Sequence, residues 1–133
     1  MKTFFTPILF VLSTIFLAES CSKDEVKQQD LKNTQISITK PTENLEASQG
    51  DTLQIEALIT SDVSMHGYEI IIYDITSKTQ KSILDKHTHG KQLTITQAWI
   101  TTNETLGEKE IEIVAIIDHT GLKTAAKRKF VLK

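Results

Sequence analysis

Four histidines are the residues of this chain whose type and spacing point most directly to chemistry: His66, His87, His89 and His119. Imidazole is the commonest protein ligand for metal ions, and it suits zinc, copper and nickel. His87 and His89 are two residues apart, so on a β-strand both rings point to the same side and can converge on one ion. The four histidines are therefore candidate ligands of zinc or copper.

These histidines meet only if the elements that carry them are neighbours. From Gln35 onward, apolar residues recur with a period of two, which indicates strands rather than helices. Turn signals at Gly50, in the predicted loop at residues 61–64 and at Gly90 recur at the spacing expected of an all-β, antiparallel β-sandwich of about seven strands. The segment from Ile36 to Gly50 resembles the start of immunoglobulin-like and fibronectin type III-like domains, which implies that architecture.

In a fibronectin-like sheet, the topology brings all four histidines to the same end. His66 precedes the third predicted strand, residues 68–73. His87 and His89 end the fourth strand, His119 follows the sixth, and both of these strands run antiparallel to the third. A competing interpretation is that the rings only hydrogen-bond across the strand ends and tie loops together, without binding an ion.

Further side chains near the histidines are candidates for a fifth ligand or for the acceptor that fixes a histidine tautomer. These are Asp85, Asp118, Glu69 and Met65. Protons compete with metal ions for imidazole, so we expect metal affinity to fall as the pH falls.

The first twenty residues are typical of a secretory signal peptide. Lys2 supplies a positive charge, and the apolar stretch that follows it is too short for a comfortable membrane span, which needs about 20 apolar residues. The single cysteine, Cys21, ends the sequence LAESC, which resembles the lipobox of bacterial lipoproteins. That resemblance implies that Cys21 is lipidated and becomes the N-terminus.

The residues after the cysteine indicate an address and a tether. The sequence SKDE at residues 22–25 resembles the acidic export signal of Bacteroidota-type lipoproteins, which implies the outer membrane and its outer face, with the periplasmic face as the alternative. The polar stretch that follows is typical of a solvated linker. We therefore predict a signal peptide over residues 1–20, a lipidated cysteine and tether over 21–34, and one immunoglobulin-like domain over 35–133.

Four stretches of the domain carry a resemblance to one family. They are His66-Gly67-Tyr68-Glu69, His87-Thr88-His89, Trp99 and Asp118-His119-Thr120-Gly121. These stretches resemble those of an uncharacterised family of small Bacteroidota-type lipoproteins with a single immunoglobulin-like domain. The similarity covers nearly the whole mature chain, and it implies a fold and a membrane address but no activity.

Other functional classes find little support in the sequence. The net charge is −2, and no basic patch is interleaved with aromatic residues, so we expect no nucleic-acid partner. No nucleophile with a base, phosphate-binding loop or carboxylate pair stands out, so we do not expect an enzyme. Two functions stay open: a membrane-anchored module that binds zinc or copper, and a module that binds an envelope protein or glycan while the histidines are structural.

Overall fold

Alternating apolar and polar residues form strands over most of the chain that the computed structural model describes, which is residues 30–31 and 33–133. The strands are β1 (Gln35–Lys40), β2 (Leu45–Ala47), β3 (Thr52–Asp74), β4 (Thr79–Ile100), β5 (Gly107–Ile116) and β6 (Lys123–Leu132). The predicted signal peptide, Cys21 and most of the predicted tether lie outside the described residues. No helix among the described residues is long and apolar enough to cross a membrane.

Two long strands, β3 and β4, build both layers of a β-sandwich. The N-terminal half of β3 pairs with β1 and with the C-terminal half of β4. The C-terminal half of β3 pairs with the N-terminal half of β4 and with β5. The second layer continues through β6 to β2, and all of these pairings are antiparallel except that of β2 with β6. The fold class predicted from the sequence, a fibronectin type III-like β-sandwich, is confirmed.

Two predicted breaks between strands, at residues 61–64 and at Gly90, were wrong. Residues 61–64 were expected to form a loop and Gly90 to end a strand, but the backbone stays extended through both places. The ladder is interrupted there instead, since β3 has four residues between Thr60 and Met65 while β4 has only one between Gly90 and Gln92. β3 and β4 therefore each pass from one sheet into the other without a turn. For this reason the sandwich has six strands among the described residues, where about seven were predicted.

The core lies between the two layers and is made mainly of isoleucine. The inward positions of β3, β4 and β5 are completely or almost completely buried, including Ile55, Ile70 and Ile113. Trp99 and Phe130 meet edge to face, with ring centroids 6.1 Å apart. Each such buried side chain stabilises the fold by about 1.5–3 kcal/mol relative to exposure. The described strands and the core cluster lie within residues 31–132.

The chain enters the sandwich at a defined end. Gln35 at the start of β1 pairs with Thr60, just before β3 crosses to the second layer. The hydroxyl groups of Thr34 and Ser61 are hydrogen-bonded at 2.8 Å in a buried position. The C-terminal Lys133 instead donates its backbone N–H to Ala47, at the opposite end of the sandwich.

Candidate histidine site

The four predicted histidines come from three segments that meet at one end of the second layer. His66 lies on β3 where this strand enters the second layer, and His87 and His89 lie on the adjacent part of β4. His119 lies in the turn between β5 and β6. β5 ends at Ile116, opposite Gly67, so this turn begins beside His66.

The four imidazole rings form one cluster around His66. The centroid of the His66 ring is 3.9 Å from that of His119, 4.8 Å from that of His89 and 6.4 Å from that of His87. The rings of His87 and His89 are 4.7 Å apart and nearly perpendicular. Nε2 of His89 and Nδ1 of His66 are 3.1 Å apart and form a hydrogen bond. The prediction that the four histidines converge is confirmed.

A glycine lets β4 approach β3 closely beside the cluster. A Cβ on Gly67 would collide with the carbonyl oxygen of Lys86 and would lie 3.2 Å from Cα of His87. The backbone φ of Gly67 is +151°, in a region that favours glycine. Gly67 pairs with His87 in the ladder. The absence of a side chain at Gly67 therefore allows the backbone of His87 to lie close to β3.

The turn that presents His119 is held by Asp118. The Asp118 carboxylate accepts hydrogen bonds from the backbone N–H of Thr120 at 2.9 Å and of Leu122 at 3.0 Å, and also from the Thr120 hydroxyl. Leu122 in turn accepts a hydrogen bond from the N–H of Ile117 through its carbonyl oxygen. This local network orients the turn around His119 before any ligand binds.

The surroundings of the central ring, that of His66, favour its neutral form. Partial burial lowers the pKa of His66 below its usual value, and the neighbouring imidazoles of His119, His89 and His87 lower it further. The Asp118 carboxylate acts in the opposite direction and raises the pKa of His66. A neutral imidazole is the form that binds metal ions, so the environment favours the ligating form of His66.

The other side chains considered as ligands are placed unequally. Asp118 lies close enough to influence His66, as its effect on the pKa shows. Met65 is completely buried in the core, so its sulfur is not a surface ligand. Glu69 faces Asp85 across the β3–β4 ladder. This pair lies two positions further along the ladder than Gly67 and His87, away from the β5–β6 turn that carries His119. Within the described residues, no three His, Cys, Asp or Glu side chains already stand in an arrangement that holds a metal ion.

A buried ion pair at the opposite end of the sandwich was missed by the sequence analysis. Nζ of Lys109 lies 2.7 Å from Oδ2 of Asp74, and the Lys109 side chain is only 1% exposed. The Thr105 hydroxyl bonds to both partners, and the backbone N–H of Ser77 also donates to Asp74. The hydrogen bond from Lys109, followed by those from Ser77 and Thr105, holds the pKa of the Asp74 carboxyl well below its usual range. The sequence contained a sign of this buried lysine. Lys109 lies two residues before Ile111 on β5, so the side chains of both point to the same inward face.

Comparison with known proteins supports the fold and leaves the family open. No protein family and no curated protein matches this chain. The fibronectin(III)-like modules of Clostridium thermocellum CbhA superpose on it with a TM-score of 0.53 and 17% identity, covering 74% of this chain and 96% of the module. A β-glucosidase from Listeria innocua, solved with glucose, has a TM-score of 0.48 and 11% identity over 74% of this chain and 16% of the enzyme. At these identities the likeness to the modules shows the fold alone.

Proposed function

We propose that this chain is a lipid-anchored β-sandwich domain that binds a transition metal ion, zinc or copper, through His66, His87, His89 and His119. The observation that carries the proposal is the contact of four imidazoles from three separate segments, including the hydrogen bond between His66 and His89. Imidazole nitrogen is a preferred donor for both metals. A compact set of such donors on a rigid sandwich is suited to hold one of them.

The exposed position of the cluster supports a binding role. His87, His89 and His119 are exposed and His66 is half-buried, so their rings can rotate toward an ion without disturbing the core. The backbone positions beneath them are fixed by the β3–β4 ladder and by the Asp118 turn. Only side-chain rotation is then needed to bring ring nitrogens to the 2.0–2.1 Å that zinc requires.

The membrane anchor in this proposal comes from the sequence. Lipidation of Cys21, export to the outer membrane and exposure at the cell surface are all inferred from residues 17–25. Such an anchor would hold the metal site at the envelope, where it could sequester, deliver or sense the ion. We propose a binding role rather than catalysis, because the cluster offers ligands and no nucleophile.

Metal-dependent thermal unfolding tests the proposal. A soluble form of residues 22–133 is melted with and without zinc or copper at pH 7.5. A ligand that binds only the folded state adds about 2.7 kcal/mol at one hundred times its dissociation constant. For a domain of roughly 100 residues this raises the Tm by about 10 °C. His87→Ala/His89→Ala should remove the rise, and the exposed neighbour Lys86→Ala should retain it.

The same experiment separates this function from its competitor. If the histidines only tie loops together, the metals leave the Tm unchanged and the double histidine variant simply melts lower. That result would refute metal binding and leave recognition of an envelope protein or glycan as the function. If the metal is bound, the Tm rise should shrink below pH 6, where protons compete for the imidazoles.

A further inference from the structure

The strand that carries His87 and His89 has an open edge. β4 pairs only with β3 among the described residues, so its other edge has no strand partner along its 22 residues. Around the histidines, five of the seven residues from Asp85 to Lys91 are exposed, and Thr88 and Gly90 are half-buried. An open edge of this kind is a template for pairing with another strand.

The sequence of this edge is complementary to itself. The segment reads DKHTHGK over residues 85–91, with Thr88 at its centre. In an antiparallel pair centred on Thr88, His87 of one copy faces His89 of the other, and Asp85 faces Lys91. Two-fold symmetry repeats each of these pairs, as expected for a symmetric dimer.

Shifted registers lack this complementarity. Centring the pair on Lys86 would place the two ammonium groups of that residue opposite each other, and centring it on Asp85 would do the same with carboxylates. Like charges directly opposite on paired strands are destabilising, whereas opposite charges stabilise the pair. Registers centred on His87 or His89 place no like charges opposite each other, but they do not pair Asp85 with Lys91. The register centred on Thr88 is the one that pairs Asp85 with Lys91 and also His87 with His89.

We propose that a second copy of this chain pairs along this edge of β4, and that a zinc ion at the two-fold axis is held by His87 and His89 of both copies. This inference rests on the proposed function, with the ligands supplied by His87 and His89 of both copies instead of by all four histidines of one copy. Residues opposite each other on paired strands have Cβ atoms about 4.5–5.5 Å apart, so four imidazoles meet at the axis. Four nitrogen donors satisfy the tetrahedral preference of zinc.

His66 then has a role of its own in this arrangement. Nε2 of His89 is engaged with Nδ1 of His66, which leaves Nδ1 of His89 for the ion. A metal-bound histidine nearly always donates its other N–H to a nearby acceptor, and this fixes its tautomer. His66 is that acceptor for His89 when its own Nδ1 is unprotonated. His66 is thus a positioning residue in the dimer.

Mass in solution and a charge-swap rescue test the inference. The soluble form of residues 22–133 is followed by sedimentation velocity with EDTA and with equimolar zinc, and we expect zinc to double its mass. Lys91→Asp places two carboxylates opposite each other and should weaken the zinc dimer more than tenfold. Asp85→Lys/Lys91→Asp reverses both charges and should restore the dimer. Both residues are exposed, so neither change should disturb folding.

Measuring both the Tm and the mass shows whether the shared zinc site fails alone or together with metal binding. If zinc raises the Tm while the mass stays that of one copy, metal binding stands and the shared site is refuted. If zinc changes neither the Tm nor the mass, both proposals fail together. If zinc doubles the mass equally in the wild type, in Lys91→Asp and in the double swap, the pairing along β4 is refuted, because contact would then lie elsewhere.

Discussion

Replacing Lys109 by methionine should destabilise the domain far more than any surface change. Methionine keeps the length and apolar stem of the side chain, so the change removes mainly the ammonium group. That group lies 2.7 Å from Oδ2 of Asp74 and 3.0 Å from the Thr105 hydroxyl, at 1% side-chain exposure. Breaking a buried ion pair by removing one partner costs about 3–5 kcal/mol, because the other charge is left without compensation.

The structure places the expected cost at the lower end of that range. Asp74 keeps two donors after the change, the Thr105 hydroxyl and the N–H of Ser77, and its side chain is 12% exposed to water. We therefore expect a loss of about 3 kcal/mol in the free energy of unfolding. At about 4–8 °C per kcal/mol for a domain of this size, the Tm should fall by at least about 12 °C.

A matched control lies beside the buried pair. Lys81 pairs with Glu104 at 3.1 Å, but the Lys81 side chain is 64% exposed. Exposed pairs contribute about 0.2–1 kcal/mol, so Lys81→Met should lower the Tm by only a few degrees. If Lys109→Met and Lys81→Met had equal effects in thermal melts, the argument that burial makes the Lys109 pair important would be wrong.

The ion pair of Asp74 with Lys109 should also contribute to the loss of stability at acid pH. The pKa of Asp74 is lowered in the folded state, so its contribution to stability is present above the unfolded pKa of about 3.9 and is lost as the pH falls below it. In wild-type protein, unfolding then takes up a proton at Asp74 between about pH 4 and pH 2. Asp74→Asn should lose this uptake, and urea midpoints measured across that range should fall less steeply with acid. An unchanged slope would contradict the assigned pKa direction.

Two further predictions concern the glycine beside the histidine cluster and the single cysteine. Gly67→Ala should push β4 away from β3, since its Cβ would meet the Lys86 carbonyl oxygen, and should cost more than the roughly 1–2 kcal/mol of a left-handed alanine alone. Gly121→Ala, with φ of +92° and open space around the Cβ, is the control, and equal Tm losses would refute the steric argument. Cys21→Ala should abolish incorporation of labelled palmitate and release the protein from membranes; labelled, membrane-bound Cys21→Ala would exclude lipidation at this residue.

Much of the fold follows from the period-two pattern. The inward positions Leu53, Ile55, Ile111 and Ile113 are all buried, because alternation fixes which face of a strand each residue joins. The two long strands could not be predicted in this way. The mainly polar sequence SDVS at residues 61–64 is compatible both with a turn and with an extended passage from one sheet to the other. Local sequence distinguishes a loop from a bulge poorly, and tertiary pairing decides between them.

The candidate site was predictable because topology supplied what spacing alone could not. His66 and His119 are 53 residues apart, by their numbering, and meet only because β5 runs antiparallel beside β3. The buried ion pair was predictable on the same reasoning and was missed. Asp74 and Lys109 face each other in that same ladder, each at the end of an inward apolar series. A charged residue at an inward-facing position of a strand therefore predicts an oppositely charged partner on the adjacent strand.

The entry point of the chain makes pairing along β4 compatible with an anchor on one membrane. Gln35 pairs with Thr60 where β3 changes layers, so the N-terminal segment reaches the sandwich at the histidine end. In a dimer centred on Thr88, Gln35 of each copy would therefore lie at the end of its sandwich that carries the two-fold axis. Leu31 packs against the core and the Thr34 hydroxyl donates to the Asp30 carbonyl, so the tether available for extension is residues 22–29, which can span at most roughly 29 Å. Two copies anchored through Cys21 in the same bilayer could therefore pair without either tether having to cross the length of a domain.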